Sequence, residues 1–579
     1  VKSKRTLLVL LAAGAALHGA YLLALRAHDP LSDLLVHDAH RYHAWASAWA
    51  AGERFETGAF SQAPLYPALV AAVFSVAGRH LTAVVVLQLA LAMGALALVH
   101  AAARRAYGAA AAATAVALGV LAHPLAFYEA RLLPTVVAVF LAALAVERLQ
   151  AAQAAGNQRA WLLAGGAVGL AGVARPDLLL LAPAAFVLPA ARRLRAGAAL
   201  AAGVLLVVAP VAVRNLLASG ELVLVSTQGG ITFWQGNNPA ARGGYSTPEG
   251  FSGSIATQRQ EARALAAPAL GPAAGDAEVS RYWLRRGLAS LAEDPGRAAR
   301  LVARKAALAL DAREHGLEYA PRLDRSPLRP LLPVSFGVLF ALAAVRLVRS
   351  PADRSAERPL LLLLAVEAVV LLAFYAAGRY RMTALPALLA VAGFGTVSLA
   401  RALRARTAAA PLGAVAAGAL LAYAPLPGRE AAVLAVEDAG ALRDRGEAFL
   451  TRGDLTRARE ALQRAAALNP GDPTLPLDLG KVEARAGDPG RAAAHFRRAL
   501  TMAPDLAEAH LDLGVLLYTG GHLEAAAASF AAAHRLDPAD AAAANNLLGT
   551  LRRLGRLGEA RALAADMDAR GVPVDAALR

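Results

Sequence analysis

The sequence predicts an all-α protein in two parts, a polytopic membrane helix bundle of about eleven spans followed by an α-solenoid. Three observations predict it. The 579 residues are 57% hydrophobic with mean hydropathy +0.45, too apolar for a soluble chain of average composition. Apolar runs of roughly 16–22 residues recur, the length that crosses a bilayer as a helix. Beyond Tyr423 the pattern changes, and Gly, Ala and Pro return at a fixed 34-residue interval.

The spans are expected near residues 6–26, 81–103, 109–125, 132–148, 160–174, 177–191, 197–213, 330–347, 359–377, 384–400 and 408–424. Residues 64–78 are apolar but short and opened by prolines, so they read as a re-entrant or interfacial helix. Residues 1–25 resemble a signal peptide but lack a convincing small-residue cleavage site, and read as an uncleaved first membrane helix. Lys2/Lys4/Arg5, Arg104/Arg105, Arg148/Arg159, Arg192/Arg193/Arg195, Arg346/Arg349/Arg354/Arg358 and Arg401/Arg404/Arg406 all fall on one side of this layout. The positive-inside rule makes that side cytoplasmic, which puts residues after 424 outside. The formal charge of +16 is scattered between spans, which suits membrane topology and anionic lipid contact and argues against nucleic-acid binding. With no cysteine there is no disulfide and no thiolate metal site.

The opposite side collects the polar loops: 27–80, then HPLAFYEARLLP (123–134), Ala174-Arg175-Pro176-Asp177, a long segment 214–329, and Gly378-Arg379-Tyr380-Arg381. Polar groups converging from separate loops on one membrane face are how a helical scaffold builds a site. Read as a helix, the stretch after His37 places Asp38, Tyr42, Trp45 and Trp49 at i, i+4, i+7 and i+11, one face with an acid at its head. Such a helix is expected in the interface, its aromatic rings at the headgroups and Asp38 at the water boundary. Gln228 through Gly244 is Gly/Asn-rich and reads as a loop with Phe233 and Trp234 at its tip. Residues 254–310 read as Arg-rich surface helices at the headgroup plane, broken at Pro268–Gly275 and Asp294–Gly296.

In the C-terminal part, Gly453, Gly487, Gly521 and Gly555 are 34 apart, as are Ala458, Ala492, Ala526 and Ala560, and Pro470, Pro504 and Pro538; Leu462, Phe496 and Phe530 keep the same register. A Gly at each helix turn, a small Ala at each helix crossing and a Pro ending each hairpin at this period is the tetratricopeptide signature. The layout is thus a membrane domain over 1–424, a linker over 425–440 and repeats over 441–570, whose concave face is expected to bind a protein or peptide partner.

An Asp followed by a spaced Tyr and Ala, a Gly, and a Pro64-Leu65-Tyr66 step resembles the first external loop of GT-C-type glycosyltransferases. The branch it is most similar to is the bacterial family related to protein O-mannosyltransferases and the lipid A aminoarabinose transferase. RPDLLLLAP, RNLLASGELVLVSTQGGITFWQGNNP and GRYRMTALPALL look like further segments of that family. The resemblance implies a polyprenyl-phosphate sugar donor, an acceptor hydroxyl, the outer face of a bacterial inner membrane, and Asp38 as catalytic base. Some relatives use a divalent metal ion near the donor phosphate, so such an ion is an expectation with no assigned ligands. Many relatives carry Lys-Pro before the Pro-Leu step. Here Gln62 and Ala63 stand there, so a cation for the phosphate must come from elsewhere.

Transfer of a sugar from a lipid phosphate needs a carboxylate to take the proton of the incoming hydroxyl; Asp38 is the first candidate, or it merely caps its helix. His37, His40 and His43 could bind a metal with Asp38, or be surface histidines. Glu129 could hold a metal or the acceptor, or simply pair with Arg131 or Arg175. Glu367, deep in its span, should pair with a polar group of a neighbouring helix. Arg379 and Arg381, flanking Tyr380, could clamp the donor phosphate in place of the missing Lys, with Arg175 as a second; ordinary headgroup anchoring is the alternative. Two other functions compete: an O-antigen ligase or polymerase, whose main catalytic loop falls late in the chain, and a non-enzymatic envelope scaffold acting through its repeats.

Overall fold

Long apolar runs free of helix-breaking residues become the long helices of this protein. The computed structural model describes residues 2–188, 193–251, 257–317, 319–351, 353–427 and 429–578, so Arg192 and the end of the span expected at 177–191 lie outside the described residues. Among the described residues all regular structure is helical apart from an isolated parallel bridge between Ala122 and Val334. The chain divides into two compact units, residues 1–434 and 435–579.

The first unit opens with α1 (Lys2–His28), α2 (His37–Ala50), α3 (Leu65–Ala77), α4 (Leu81–Tyr107), α5 (Ala109–Val120), α6 (His123–Glu129), α7 (Thr135–Ala155) and α8 (Gln158–Ala174). A 3-10 turn at Pro176–Leu181 and the short α9 (Ala184–Val187) lead to α10 (Arg193–Ser219), α11 (Gly229–Asn237), α12 (Gln258–Leu270), α13 (Asp276–Glu293) and α14 (Pro295–Ala309). It closes with α15 (Phe336–Ala344), α16 (Arg358–Ala373), α17 (Gly378–Arg381), α18 (Leu385–Arg404) and α19 (Ala409–Tyr423).

Among the described residues, five stretches are long and apolar enough to cross a membrane: Lys4–His28, Leu81–Tyr107, Thr135–Ala155, Arg193–Ser219 and Gly378–Arg404. Of the other six expected spans, 160–174 lies whole within α8 (Gln158–Ala174), and the rest come out shorter or broken. Residues 177–191 split into the 3-10 turn and α9 because Pro176 and Pro183 interrupt the helical hydrogen bonds. The span expected at 359–377 is helical only to Ala373.

Two expectations about the polar side are corrected. The aromatic face of α2 points into the protein, not toward headgroups: Trp45 is fully buried, stacked on Phe55 at 5.4 Å, and Tyr42 meets Tyr66 edge-on at 5.2 Å. Rings that can pack on other rings gain more from burial there than from half-wetting at an interface. The Gly-rich stretch after Gln228 is α11, not a loop, and Phe233 and Trp234 are buried. Its glycines serve close approach. A Cβ at Gly230 would lie 1.8 Å from the Ser280 carbonyl oxygen, and one at Gly236 would lie 1.9 Å from that of Phe374. The breaks expected around α13 do occur, and Asp294 caps α14 by accepting from the Arg297 amide at 2.8 Å.

The second unit holds α21 (Leu455–Leu468) to α27 (Leu557–Ala569), preceded by α20 (Ala431–Thr451), which begins in the first unit. Its 34-residue period has a direct cause. Gly453, Gly487, Gly521 and Gly555 all turn with φ between +74° and +81°, a conformation that strains any side chain. Large and small residues also pair across each hairpin in register. A Cβ at Gly480 would fall 2.4 Å from the Phe496 ring, and one at Gly514 would fall 2.6 Å from the Phe530 ring. The array therefore packs by a repeated knob and gap.

Candidate active site

The first loop is fastened at its far end before it reaches any site. Arg214 donates to the carbonyl oxygens of Gly58 (2.6 Å) and Glu56 (2.8 Å) while its guanidinium lies over Phe60. The Thr227 and Gln228 amides donate to the Phe60 and Ser61 carbonyls at 3.0 and 3.1 Å. Arg41 of α2 joins Glu56 and donates to Ser61 Oγ at 2.7 Å. These ties fix Gln62 against the start of α2, where its amide nitrogen donates to Asp38 Oδ1 at 3.0 Å.

Asp38 is buried, and its other oxygen, Oδ2, is 2.9 Å from an Arg379 guanidinium nitrogen. Both residues line a cavity of about 230 Å³, together with Gln62, Arg175, Asp177 and Tyr380. Ala174, Pro134, Val370 and Phe374 give it an apolar side. Arg175 holds Asp177 through two bonds, Nε at 3.1 Å from Oδ1 being one of them. The Arg175 and Arg379 guanidinium carbons lie 5.0 and 5.2 Å from the centre of the Tyr380 ring. The Tyr380 hydroxyl is in turn 3.0 Å from that of Tyr375. Two cations are thus gathered by one aromatic ring, each balanced by one carboxylate.

Three candidates from the sequence lie elsewhere. Arg381 turns away from the cavity and is spent on backbone: it donates to the Arg313 carbonyl at 3.0 Å and to that of Ala309 at 3.3 Å, with Glu314 3.6 Å away. Residues two apart in a helical turn face different directions, so Arg379 and Arg381 could not both reach one phosphate. Glu129 is fully buried and pairs neither with Arg131 nor with Arg175; it is held by His18 of α1, whose Nδ1 lies 2.8 Å from Oε1 and whose Nε2 is 2.9 Å from the Val120 carbonyl. Arg131 pairs instead with Asp29. Glu367 is buried on α16 one turn before Val370 and feels the charges of Arg175 and Asp177.

A divalent ion does not fit these residues. Among the described residues no group of three or more His, Cys, Asp or Glu side chains converges as metal ligands would. The two cavity acids each face an arginine already. His37 and His40 are exposed, and His43 packs on Phe74 at 5.4 Å. Sequence reasoning missed Asp177 as the partner that orients Arg175, and it missed Gln62 as a contact of Asp38. The adjacency of Asp177 to Arg175 was the only signal for the first.

With this geometry established, the comparisons can be placed on it. Residues 61–214 match the family model of dolichyl-phosphate-mannose-protein mannosyltransferases. That stretch is thus similar to a membrane glycosyltransferase domain. The matched stretch contains Gln62, Arg175 and Asp177, while Asp38 and Arg379 lie outside it. Residues 397–473 and 477–541 match the tetratricopeptide repeat model, so the C-terminal array consists of tetratricopeptide repeats. No curated protein matches the chain. Similar solved structures include repeat proteins. The first tetratricopeptide domain of human RPAP3 is 19% identical over 21% of this chain and 94% of its own, with a TM-score of 0.20. The Sgt2 repeat domain from Aspergillus fumigatus is 18% identical over 21% and 82%, with a TM-score of 0.20. YrrB, described as having an unusual peptide-binding site, is 20% identical over 32% and 88%, with a TM-score of 0.21. At these values none bears on function.

Proposed function

We propose that the protein transfers a sugar from a polyprenyl-phosphate lipid to an acceptor hydroxyl on the outer face of a bacterial inner membrane, with Asp38 as general base. One observation carries the reading: Asp38, Arg175 and Arg379, from three separate segments, share one cavity with an apolar side. A lipid-linked sugar phosphate needs that combination, cations for the phosphate, a carboxylate for the hydroxyl and an apolar wall for the chain.

The donor phosphate enters between Arg175 and Arg379 above Tyr380. It competes with Asp38 for Arg379, because a guanidinium has a fixed fork of donors and a phosphate dianion or ester fills it well. Arg379 moves onto the phosphate, and Asp38, still held by Gln62, turns Oδ2 to the acceptor. The acceptor oxygen forms its bond to the anomeric carbon as the carbon–phosphate oxygen bond breaks. The electron pair leaves with the polyprenyl phosphate, and the hydroxyl proton goes to Asp38. One carboxylate suffices because phosphate is already a good leaving group, and the anomeric configuration inverts.

The repeats lie outside the cytoplasm on this reading, and their concave face takes a protein or peptide. A reporter active only in the cytoplasm, fused after Arg579, should be silent; activity would put the repeats inside. The function is tested with membranes containing the protein and a panel of radiolabelled polyprenyl-phosphate sugars. Consumption of one of them, lost in Asp38→Asn, is expected. No consumption of any, with envelope defects that follow deletion of the repeats alone, would mean a scaffold.

A further inference from the structure

Gln62 lies on the wall shared by two cavities. One is the 230 Å³ cavity of Asp38. The other, of about 60 Å³, is bounded by Gln228, Gln258, Arg259 and Trp283 on the side of α12 and α13. The residue is only 7% exposed, and its carbonyl oxygen Oε1 is buried without a hydrogen-bond partner. The orientation of the amide is dictated by chemistry. Ionised Asp38 can only accept, so the Gln62 NH2 must face it and Oε1 must point the other way. Turning the amide over would set an oxygen against a carboxylate. A buried acceptor with no donor costs free energy; other buried groups such as Arg41 Nε are also without a partner, but Oε1 belongs to a residue that borders the Asp38 cavity, from which a ligand can supply the donor.

We propose that Gln62 positions the reaction with both ends of its amide: the nitrogen orients Asp38, and Oε1 accepts a hydrogen bond from a sugar hydroxyl next to the reacting centre. The inference rests on Asp38 being the base. The hydroxyl wanted is not the one that reacts, since that proton goes to Asp38; it is a second hydroxyl a few ångströms away. A pyranose carries such neighbours on both sides of the transfer, on the donor sugar and on a saccharide acceptor. A lysine at this position would keep the N–H bond to Asp38 and add a charge. It would offer no acceptor for a hydroxyl, so glutamine makes the site select by hydroxyl pattern.

The test uses the full-length protein in lipid nanodiscs. The polyprenyl-phosphate hexose that wild type consumes fastest is compared with its monodeoxy analogues as donors, and a methyl hexoside with its monodeoxy analogues as acceptors. Wild type, Gln62→Lys and Gln62→Met are each assayed. In wild type, one missing hydroxyl should lower kcat/KM about tenfold, the cost of leaving a buried acceptor unpaired. In Gln62→Met that penalty should vanish, parent and analogue being used equally. Gln62→Lys should recover part of the turnover lost in Gln62→Met, because it still holds Asp38, yet show no penalty either. A penalty on the donor assigns the hydroxyl to the donor sugar, and one on the methyl hexoside assigns it to the acceptor. The same deoxy penalty in all three proteins, or none in wild type, would overturn the inference while leaving Asp38 as the base. Failure of wild type to consume any lipid-linked hexose, or full activity in Asp38→Asn, would overturn the functional reading instead.

Discussion

Asp38 and Glu129 are both buried carboxylates held by a basic partner, Arg379 in one case and His18 in the other. They differ in what lies on their remaining side. Asp38 borders a cavity together with a second cation, Arg175, whereas Glu129 is closed in by α1, α5 and α6 and does not line that cavity. A buried acid is costly wherever it sits. The same cost has different uses: at Asp38 the partner can be drawn away by an arriving anion, and at Glu129 nothing can arrive. Burial and pairing are therefore common to both acids, and on the proposed reading it is access that sets the base apart.

The sharpest way to break the comparison is to remove each partner. His18→Ala leaves Glu129 buried and unpaired, and should destabilise the protein by about 3–5 kcal/mol, with turnover per folded molecule unchanged. Thermal unfolding in nanodiscs and sugar transfer at matched folded concentration check both halves. Loss of turnover without loss of stability would move the chemistry toward Glu129.

Arg379→Ala should raise the donor KM by about tenfold to a hundredfold, equivalent to about 1.5–3 kcal/mol for a charge-assisted contact. Arg379→Lys should recover only part, because an ammonium lacks the fork. Arg381→Ala is the control two residues away: donor KM should stay within about twofold while the melting temperature falls, since its bonds go to the carbonyls of Ala309, Asp311 and Arg313.

Lys305 sharpens the comparison from the other side, as a buried cation facing neutral partners, Asn237 Oδ1 at 2.8 Å and the Ala373 carbonyl at 3.3 Å. Burial pushes its ammonium down to about 7 from an ordinary 10.5. Between those values the unfolded chain binds a proton that the folded one does not, so stability should rise with pH by about 1.4 kcal/mol per unit. Below pH 7 both states are protonated and the destabilisation is at its full value. In Lys305→Met the slope over pH 7.5–9.5 should disappear, as unfolding followed at a series of pH values will report.

Much of this was legible in the sequence, for reasons that can be named. The repeat array is readable because each turn needs a left-handed Gly and each crossing a small Ala, so geometry recurs as letters at Gly453, Gly487, Gly521 and Gly555. The helix carrying Asp38 is readable because one face repeats at i, i+4, i+7; that its rings face inward is not, because Phe55 and Phe60 reach Trp45 only once the loop folds back. Pairings across long separations are invisible to spacing, and His18 meets Glu129 across 111 positions. Arg379 and Arg381 are alike in composition and neighbourhood, and only the turn at Gly378–Arg381 decides which faces the cavity. The glycines at Gly230 and Gly236 misled for a related reason: loop flexibility and close helix packing ask for the same residue.

The central claim is that Asp38 takes the acceptor proton while the arginines hold the donor, and one substitution separates these roles. Asp38→Asn keeps the side chain's size but cannot accept the proton. Donor binding and sugar transfer should be measured on the purified variant at matched folded concentration. Turnover should fall by about 10²–10⁴-fold, and the donor should bind as tightly as before or more tightly, because its phosphate no longer competes with a carboxylate for Arg379. Turnover above about a tenth of the wild-type value, whatever the binding, would contradict the assignment of Asp38 as the base.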